Sequence, residues 1–426
     1  MRGISINRMY RLFFVIYLFF MGGSCYAQPH EKQLPPDRPL IRYKAGEMPD
    51  RILMSITDSL AQSRTITWRT SKATPTGTLE WSDKVKQVDF YREANRMDAL
   101  SEQFVTYAGD TVYYHTATLR ALKSGQHYVY RVGEGDMWSE WIDFSMPTDE
   151  DAFQFIYMGD AQNDIRPLWS RVFRKAYAAA PAADFVIHVG DLINHSQNEY
   201  EWAEWFRAGD FMLAAKPQLA VRGNHEYVKD EKGVKQYSTP SWPHQFRYPP
   251  NGPSSLPNGA YFIDIKNCRF VFMDSNDALD LQGQWLEQVL KNNTKKWAIV
   301  VCHHPVVSAT EGRINDGVMT HWKPLFDKYN VDLVLQGHDH VYARGRIPNS
   351  EGNRIGPTYV ISVAGRKAYA VGNHPWMEVK MGNVQTYQLV EMSDEAIVFK
   401  TYALDGQVQD VFRIVKRDGK PVVEDN

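Results

Sequence analysis

Cysteine is scarce in this chain: its 426 residues include three, and only Cys268 and Cys302 lie beyond residue 27. We place one at the start of an apparent strand and the other at the end of the next, so a bond between them is not expected. Cys302 is interpreted as a small buried strand residue rather than a catalytic thiol. The sequence therefore predicts neither a disulfide framework nor thiol catalysis.

An excess of positive charge is also missing. The chain has 48 Lys and Arg against 50 Asp and Glu, a formal net charge of −2, and it contains no basic run. A protein of this balance is not built to hold a nucleic-acid backbone. We therefore expect no nucleic-acid polymer as a partner.

Long apolar runs are absent beyond the first residues. Arg2, Arg8 and Arg11 precede an apolar run at 12–21, which is too short to span a membrane and is typical of a secretory signal. We predict a signal peptide at 1–27, cleavage after Ala27 and export, with no transmembrane segment in the mature chain. A lipoprotein anchored through Cys25 is less favoured, because Gly22 stands where a Leu-like residue is usual. Cleavage removes three arginines and no acid, which changes the net charge from −2 to −5.

Length and composition are those of a globular protein with two hydrophobic cores. The chain is 43% hydrophobic and 23% charged, and single cores stop growing well before this length. After a lead-in at 28–49, residues 50–147 alternate in short strands separated by turn residues, which predicts an all-β sandwich. Residues 148–426 form the second predicted domain.

The sandwich segment is similar to a fibronectin type III domain. The segment from Leu122 to Tyr130 resembles that family's turn and strand, in which a tyrosine hydroxyl ties back to the preceding turn. Trp68 falls where such domains place a core indole. This fold hosts many roles, so the resemblance implies no activity.

From Phe153 onward, apparent strands alternate with helical segments at 168–179, 200–213, 282–292 and 320–329, which predicts an α/β domain with helices flanking β-sheets. A Pro-, Gly- and Ser-rich insertion at 227–258 is expected to form a wall or lid over the site that precedes it. A tail at 384–415 returns to strand-like alternation.

Polar residues follow the apolar strands of this second domain at five places. A glycine and an acid end the first two strands, and the tetrapeptides Gly-Asn-His-Glu and Gly-His-Asp-His follow two others. Taken singly, such residues are usually turn residues. Five strand ends together instead predict a two-metal site, whose candidate ligands are Asp160, Asp191, Asn224, His303, His338 and His340.

Two features of these residues suit a pair of ions. One carboxylate can bridge two divalent ions about 3.5–4 Å apart, and Asp191 is the natural bridge. His338 and His340 stand two residues apart on a turning backbone after Gly337, so they can diverge toward different ions. His225 offers an imidazole that need not be a ligand.

The motif order resembles that of the calcineurin-like metallophosphoesterases and, with a β-sandwich in front, most closely that of the purple acid phosphatases. The resemblance implies that Asp160, Asp191 and His340 hold one ion. It implies that Asp191, Asn224, His303 and His338 hold the other. His225 is then the acid or phosphate-positioning group.

Two positions depart from the family pattern. Purple acid phosphatases have a tyrosine three residues after the bridging aspartate, where this chain has Asn194, and many other metallophosphoesterases have a histidine where it has Gln162. The chain therefore lacks the tyrosine phenolate that favours Fe(III) in that family. Gln162 or Asn194 could supply an amide oxygen to the metal instead. His304 is a further candidate near the site, and Arg366, after an apparent strand at 359–364, could clamp a phosphate oxygen.

The function predicted is metal-assisted hydrolysis of small phosphate monoesters by a metal-activated hydroxide, with divalent or Fe, Zn or Mn-type ions. A phosphodiesterase or pyrophosphatase of the same fold is the alternative among enzymes. An exported binding protein with a vestigial phosphoesterase domain is the alternative outside enzymes. The identity of the ions and the oligomeric state stay open.

Overall fold

The computed structural model describes residues 43–313 and 315–425. The predicted signal peptide and residues 28–42 of the predicted lead-in lie outside the described residues. Among the helices described, none is long and apolar enough to cross a membrane.

The first domain is the predicted β-sandwich. One sheet has the order β1-β2-β6-β5, and the other has β4-β3-β7-β8 with β9 paired to β7. Trp68 and Tyr130 are fully buried between them, and the hydroxyl of Tyr128 accepts a hydrogen bond of 3.0 Å from Lys123 N, as the fibronectin-like turn predicts. The strands are β1 Asp50–Ser55, β2 Arg64–Ser71, β3 Thr78–Ser82, β4 Asn95–Asp98, β5 Leu100–Val105, β6 Thr111–Leu119, β7 His127–Glu134, β8 Met137–Trp138 and β9 Ile142–Ser145.

The second domain alternates strands and helices before it ends in antiparallel strands. Its elements are β10 Phe153–Met158, α1 Ser170–Ala179, β11 Phe185–His188, α2 Glu199–Gly209, α3 Phe211–Ala215, β12 Gln218–Ala220, β13 Tyr227–Lys229, β14 Lys235–Ser238, α4 Trp242–Gln245, β15 Tyr261–Ile265, β16 Cys268–Met273, α5 Leu279–Lys291, β17 Trp297–Cys302, α6 Asp316–His321, α7 Lys323–Lys328, β18 Leu333–Gln336, β19 Tyr342–Gly345, β20 Thr358–Ile361, β21 Met377–Met381, β22 Thr386–Met392, β23 Ile397–Ala403, β24 Val408–Arg417 and β25 Lys420–Asp425. One wider helical turn, Ile165–Trp169, leads into α1.

Two sheets form the centre of this domain. Their orders are β12-β11-β10-β22-β23-β24-β25 and β15-β16-β17-β18-β20-β19-β21. Phe155 of the first sheet meets Phe270 of the second edge to face, with ring centroids 5.4 Å apart, inside one continuous core. Strands β10, β11 and β12 are parallel, as are β16, β17, β18 and β20. The carboxyl ends of the motif strands therefore meet at one edge of the two packed sheets.

Two of the predicted helices are divided in the structure. The segment predicted at 200–213 breaks at Asp210, which has a φ of 47° and separates α2 from α3. The segment predicted at 320–329 is part of two helices, α6 and α7, that meet at Trp322. Pro324 lies in the first turn of α7, where its missing N–H is tolerated but its ring prevents continuation of α6.

The insertion at 227–258 has two parts. Strands β13 and β14 form a hairpin directly after the Gly-Asn-His-Glu motif. The following helix α4 instead packs on the sandwich, where the Thr67 hydroxyl donates to the Gln245 carbonyl at 2.8 Å. The hairpin is thus the part of the insertion next to the motif, where the wall or lid stays a prediction, whereas the second half joins the two domains.

Candidate metal centre

The six predicted ligands all lie in loops at the shared carboxyl edge. Asp160 follows β10, Asp191 follows β11, and Asn224 follows β12 of the first sheet, whereas the histidines follow β17 and β18 of the second. A bridge between Asp160 and Val363 brings the two edges together. Residues up to 180 positions apart in sequence therefore meet in one buried site.

Four of these residues form what we call the asparagine cluster: Asp191, Asn224, His303 and His338. The Nε2 atom of His303 lies 3.3 Å from Asp191 Oδ2, 3.2 Å from Asn224 Oδ1 and 3.1 Å from His338 Nδ1. The Nδ1–H of His303 donates to the Val189 carbonyl at 2.8 Å, so Nε2 is the ring atom that faces the cluster. Such a second hydrogen bond is usual for a histidine that binds a metal.

The glutamine cluster comprises Asp160, Gln162, Asp191 and His340. His340 Nε2 lies 3.4 Å from Asp160 Oδ2, and Gln162 Nε2 lies 2.9 Å from Asp191 Oδ2 and 3.1 Å from His340 Nε2. Asp191 thus belongs to both clusters. This arrangement is the one expected of a carboxylate that bridges two ions.

Two buried atoms without hydrogen-bond partners favour a cation at the glutamine cluster. Asp160 Oδ2 and Gln162 Oε1 are buried and accept no hydrogen bond among the described residues. A buried carboxylate oxygen without a partner is costly, and a divalent cation removes that cost. A rotation of the Gln162 amide by about 180° replaces its NH₂ group by Oε1 beside Asp191 and His340. Both clusters therefore offer the oxygen and nitrogen donors that first-row divalent ions accept.

The loops adopt strained backbone conformations that place these donors. Asp191, His338 and His340 have φ values of 50°, 70° and 48°, in the left-handed region that L-residues rarely adopt. Gly190 has a φ of 89°, and a Cβ atom there would lie 2.4 Å from Gly223 N. A Cβ atom on Gly223 would lie 2.1 Å from Asp191 Oδ1. The glycines of the motifs are therefore required for the close approach of the β11 and β12 loops.

The two buried carboxylates of the site, Asp160 and Asp191, have shifted pKa values. Burial, together with the charge of Asp191, raises the pKa of Asp160 to about 7, although His303 opposes this. Burial also disfavours ionisation of Asp191, but His303 and His225 outweigh it and hold the pKa of that carboxyl well below its usual range. Protons and cations therefore compete for Asp160, and metal binding releases protons.

The imidazole of His225 lies beside the two clusters with a fixed orientation. Its Nδ1–H donates to the Asn194 carbonyl at 2.6 Å, and its backbone N–H donates to Asp191 Oδ1 at 2.9 Å. Its Nε2 atom lies 4.0 Å from Asp191 Oδ2. His225 therefore presents Nε2 to the site at greater distance than the atoms of the clusters.

Comparison with known proteins identifies the family. A family model described as Calcineurin-like phosphoesterase matches residues 153–342, and one described as Purple acid Phosphatase, N-terminal domain, matches residues 49–146. The chain carries a calcineurin-like phosphoesterase domain behind a purple acid phosphatase N-terminal domain.

Relatives and solved structures agree with this result. Purple acid phosphatase 1 of Ipomoea batatas is 24% identical over 351 residues, which cover 76% of this chain and 71% of that protein. The Fe(3+)-Zn(2+) purple acid phosphatase 12 of Arabidopsis thaliana is 24% identical over 376 residues, 81% of this chain and 77% of that protein. The purple acid phosphatase PPD1 of yellow lupin (Lupinus luteus) shares the fold, with a TM-score of 0.71 at 18% identity over 87% of this chain and 75% of that chain.

These comparisons confirm the predicted family, the fold class and the assignment as a metal-dependent phosphoric ester hydrolase. The prediction of two metal ions is also confirmed. The assignment of individual ligands in this metallophosphoesterase stays a prediction, which the two clusters support.

The auxiliary candidates differ in where the metallophosphoesterase fold places them. Gln162 lies in the glutamine cluster, whereas the Asn194 side chain points to His195, with Nδ2 at 3.2 Å from its Nδ1, so Asn194 contributes its backbone rather than its amide oxygen. The His304 ring lies 4.4 Å from the His338 ring at an interplanar angle of 49°, and its Nδ1 lies 2.8 Å from Ser275 Oγ. Arg366 forms an ion pair of 2.9 Å with Asp164.

Sequence reasoning missed Glu226, although it quoted the tetrapeptide that contains it. Its buried carboxylate accepts hydrogen bonds from Gly223 N at 2.6 Å and from Asp191 N and Leu192 N at 2.8 Å each. Glu226 therefore fixes the loops of β11 and β12 against each other in this metallophosphoesterase. Its place directly after Asn224 and His225 was the available signal.

Three further residues at the edge of the site had no signal in the sequence. The Tyr369 ring lies 4.8 Å from the His340 ring, edge to face. Arg313 Cζ and Lys367 Nζ lie 4.5 Å and 5.4 Å from the same tyrosine ring centroid. Cations and one aromatic ring therefore border the glutamine cluster.

The metallophosphoesterase is expected to lack a visible charge-transfer band when it is loaded with iron, because no phenolate follows Asp191. The hydroxyls of Tyr157 and Tyr342 are occupied in the core, by Gln336 and by Asp410. An absorption spectrum of the iron-loaded protein tests this. A purple preparation would contradict the ligand set, and loss of the colour in Tyr369→Phe would then identify Tyr369 as the ligand.

Proposed function

We propose that the protein is an exported phosphatase that hydrolyses small phosphate monoesters with two metal ions. The asparagine cluster holds one ion and the glutamine cluster the other, with Asp191 shared between them. The observation that carries this proposal is the position of Asp191 Oδ2, 3.3 Å from His303 Nε2 on one side and 2.9 Å from Gln162 Nε2 on the other. Ions held by these residues would supply the activation of water and the neutralisation of charge on the phosphoryl oxygens.

His225 supplies the proton to the leaving group in this proposal. Its Nδ1–H is bound to the Asn194 carbonyl, so Nε2 is the atom that exchanges a proton with substrate. Burial lowers the pKa of His225 to about 4 in the substrate-free protein. The negative charge of a bound phosphate favours the protonated imidazole, which can then donate to the departing alkoxide.

Two lysines favour a monoester over a diester. The side-chain ammonium groups of Lys229 and Lys367 make no hydrogen bond or ion pair in the part of the chain that the structure describes. Burial lowers the pKa of Lys229, the charge of Asp191 opposes this, and Lys367 adds to the lowering, as expected for two ammonium groups near each other and near the site. A phosphate monoester carries a charge of about −1.5 to −2 at neutral pH, whereas a diester carries about −1. The unpaired positive charges therefore stabilise the monoester more.

The proposal predicts a higher kcat/KM, by about tenfold or more, for a monoester than for the diester with the same leaving group. One extra unit charge at about 8 Å from a lysine contributes about 2 kcal/mol at an effective dielectric constant of 20, which is enough for this ratio. Both substrates are assayed across pH with defined metals. The double variant Lys229→Met/Lys367→Met should lower the ratio of the monoester kcat/KM to the diester kcat/KM.

The exposed Lys232→Met, on the same hairpin, is the matched control and should leave the ratio unchanged. A clear preference for the diester overturns the proposal of a monoesterase without affecting the two-metal site. A protein that binds no metal would instead support the vestigial binding protein.

A further inference from the structure

Helix α2 begins beside the metal centre and turns one of its acids back toward the site. Asn198 caps the helix, with Oδ1 accepting from Tyr200 N at 3.0 Å and Glu201 N at 3.4 Å. The side chain of Glu201 is buried, and its Oε2 accepts hydrogen bonds from Asn194 N at 2.7 Å and His195 N at 2.6 Å. Glu201 therefore holds the loop that follows Asp191.

Asn194, in the loop that Glu201 holds, also holds His225. The carbonyl of Asn194 accepts the Nδ1–H of His225 at 2.6 Å, while the N–H of Asn194 is bound to Glu201. One residue thus links the Glu201 carboxylate to the imidazole. The other oxygen of Glu201 lies 2.7 Å from His195 Nδ1 and 3.1 Å from Asn198 Nδ2, which fixes the carboxylate plane.

The sandwich anchors the start of this helix. Oε2 of the buried Glu199 lies 2.7 Å from Arg51 Nη2 and 3.0 Å from Arg69 Nη1, on strands β1 and β2. Arg51 also donates to the Glu199 carbonyl at 3.2 Å. The two carboxylate oxygens of Asp50 accept hydrogen bonds from Nε and Nη2 of Arg69 at 2.8 Å and 2.7 Å. The first turn of α2 is therefore fixed to the sandwich on one side and to the His225 loop on the other.

We propose that Glu201 is a positioning residue for His225, and that the N-terminal sandwich takes part in catalysis by fixing Glu201 through Glu199. This inference rests on the proposed role of His225 as proton donor. Buried ion pairs are weak stabilisers compared with apolar contacts of the same volume, but they fix orientation. A displacement of a catalytic group by about 1 Å can lower the rate by about 10²-fold.

The test compares Glu201→Ala, Glu201→Gln and, as a control on the same helix, the exposed Arg207→Ala. Glu201→Ala should lower kcat by about 10–100-fold for alkyl phosphates, which need a proton on the leaving group, and by less than about threefold for 4-nitrophenyl phosphate. KM and metal content should stay unchanged. Glu201→Gln keeps an oxygen for the two backbone N–H groups and should recover most of the activity. Arg51→Met should also lower kcat more for alkyl phosphates than for 4-nitrophenyl phosphate, but by less than Glu201→Ala does.

A double-mutant comparison separates positioning from general stability. In a His225→Ala background, Glu201→Ala should change the alkyl phosphate rate by less than about twofold, because the group that it positions is gone. An undiminished effect in that background, or equal losses for both substrates, overturns the inference. His225→Ala alone tests the proposed role of His225 as proton donor. That role fails if His225→Ala does not lower the alkyl phosphate rate, whereas the positioning role fails if Glu201→Ala acts equally in both backgrounds.

Discussion

Replacement of Asp191 by alanine is expected to reduce the bound metal from about two ions per chain to less than one and to abolish hydrolysis. Asp191 is the carboxylate that both clusters share, so its loss removes a ligand from each ion. Loss of a residue that only supports a ligand already lowers metal affinity by about 10–100-fold, and loss of a shared ligand should exceed that. Elemental analysis of the purified wild type and variant measures the effect directly.

Asp164→Asn is the matched control for this experiment. Asp164 is a nearby acid that pairs with Arg366 at 2.9 Å and is partly exposed. It should keep both ions and most of the activity. Full metal content in Asp191→Ala would contradict the two-metal assignment, and activity that survives removal of metal by a chelator would contradict metal-dependent hydrolysis in this chain.

The ligand set could be predicted because its signals are local. A strand buried on both faces of a parallel sheet appears in the sequence as a continuous apolar run, and its carboxyl end is marked by the first glycine and polar residue that follow. Asp160 and Asp191 follow this rule, whereas His303 comes directly after its strand without a glycine. Parallel pairing then brings these ends to one edge, so residues far apart in sequence converge without any direct signal of contact.

The supporting residues could not be predicted, because their roles depend on contacts between distant segments. Glu201 resembles any acid in the first turn of a helix, and Arg51 lies 148 positions before its partner Glu199. Asn194 was a candidate because of its spacing from Asp191, yet its side chain points to His195 and its backbone carbonyl holds His225. The direction of a side chain in a loop depends on its packing against distant segments, and this packing cannot be inferred from the spacing of residues in the sequence.

His225→Ala is expected to keep both ions while it lowers turnover by about 10²–10⁴-fold for substrates with poor leaving groups. The Nε2 atom of His225 is 4.0 Å from Asp191 Oδ2, and it belongs to neither cluster, so its removal leaves every proposed ligand in place. An activated leaving group such as 4-nitrophenolate departs without a proton and should show a much smaller loss. A plot of log kcat/KM against the pKa of the leaving group should therefore become steeper in the variant.

His225→Asn separates the proton from the hydrogen bond that orients the ring. The asparagine amide can still donate to the Asn194 carbonyl, as His225 Nδ1 does at 2.6 Å, but it has no group that can act as an acid at Nε2. It should therefore resemble His225→Ala for alkyl phosphates and keep the metal content of the wild type. If either variant empties the site, His225 is a metal ligand, and the proton on the leaving group must come from another residue. His304 is then the next candidate, because its ring lies 4.4 Å from the ring of His338, a proposed ligand.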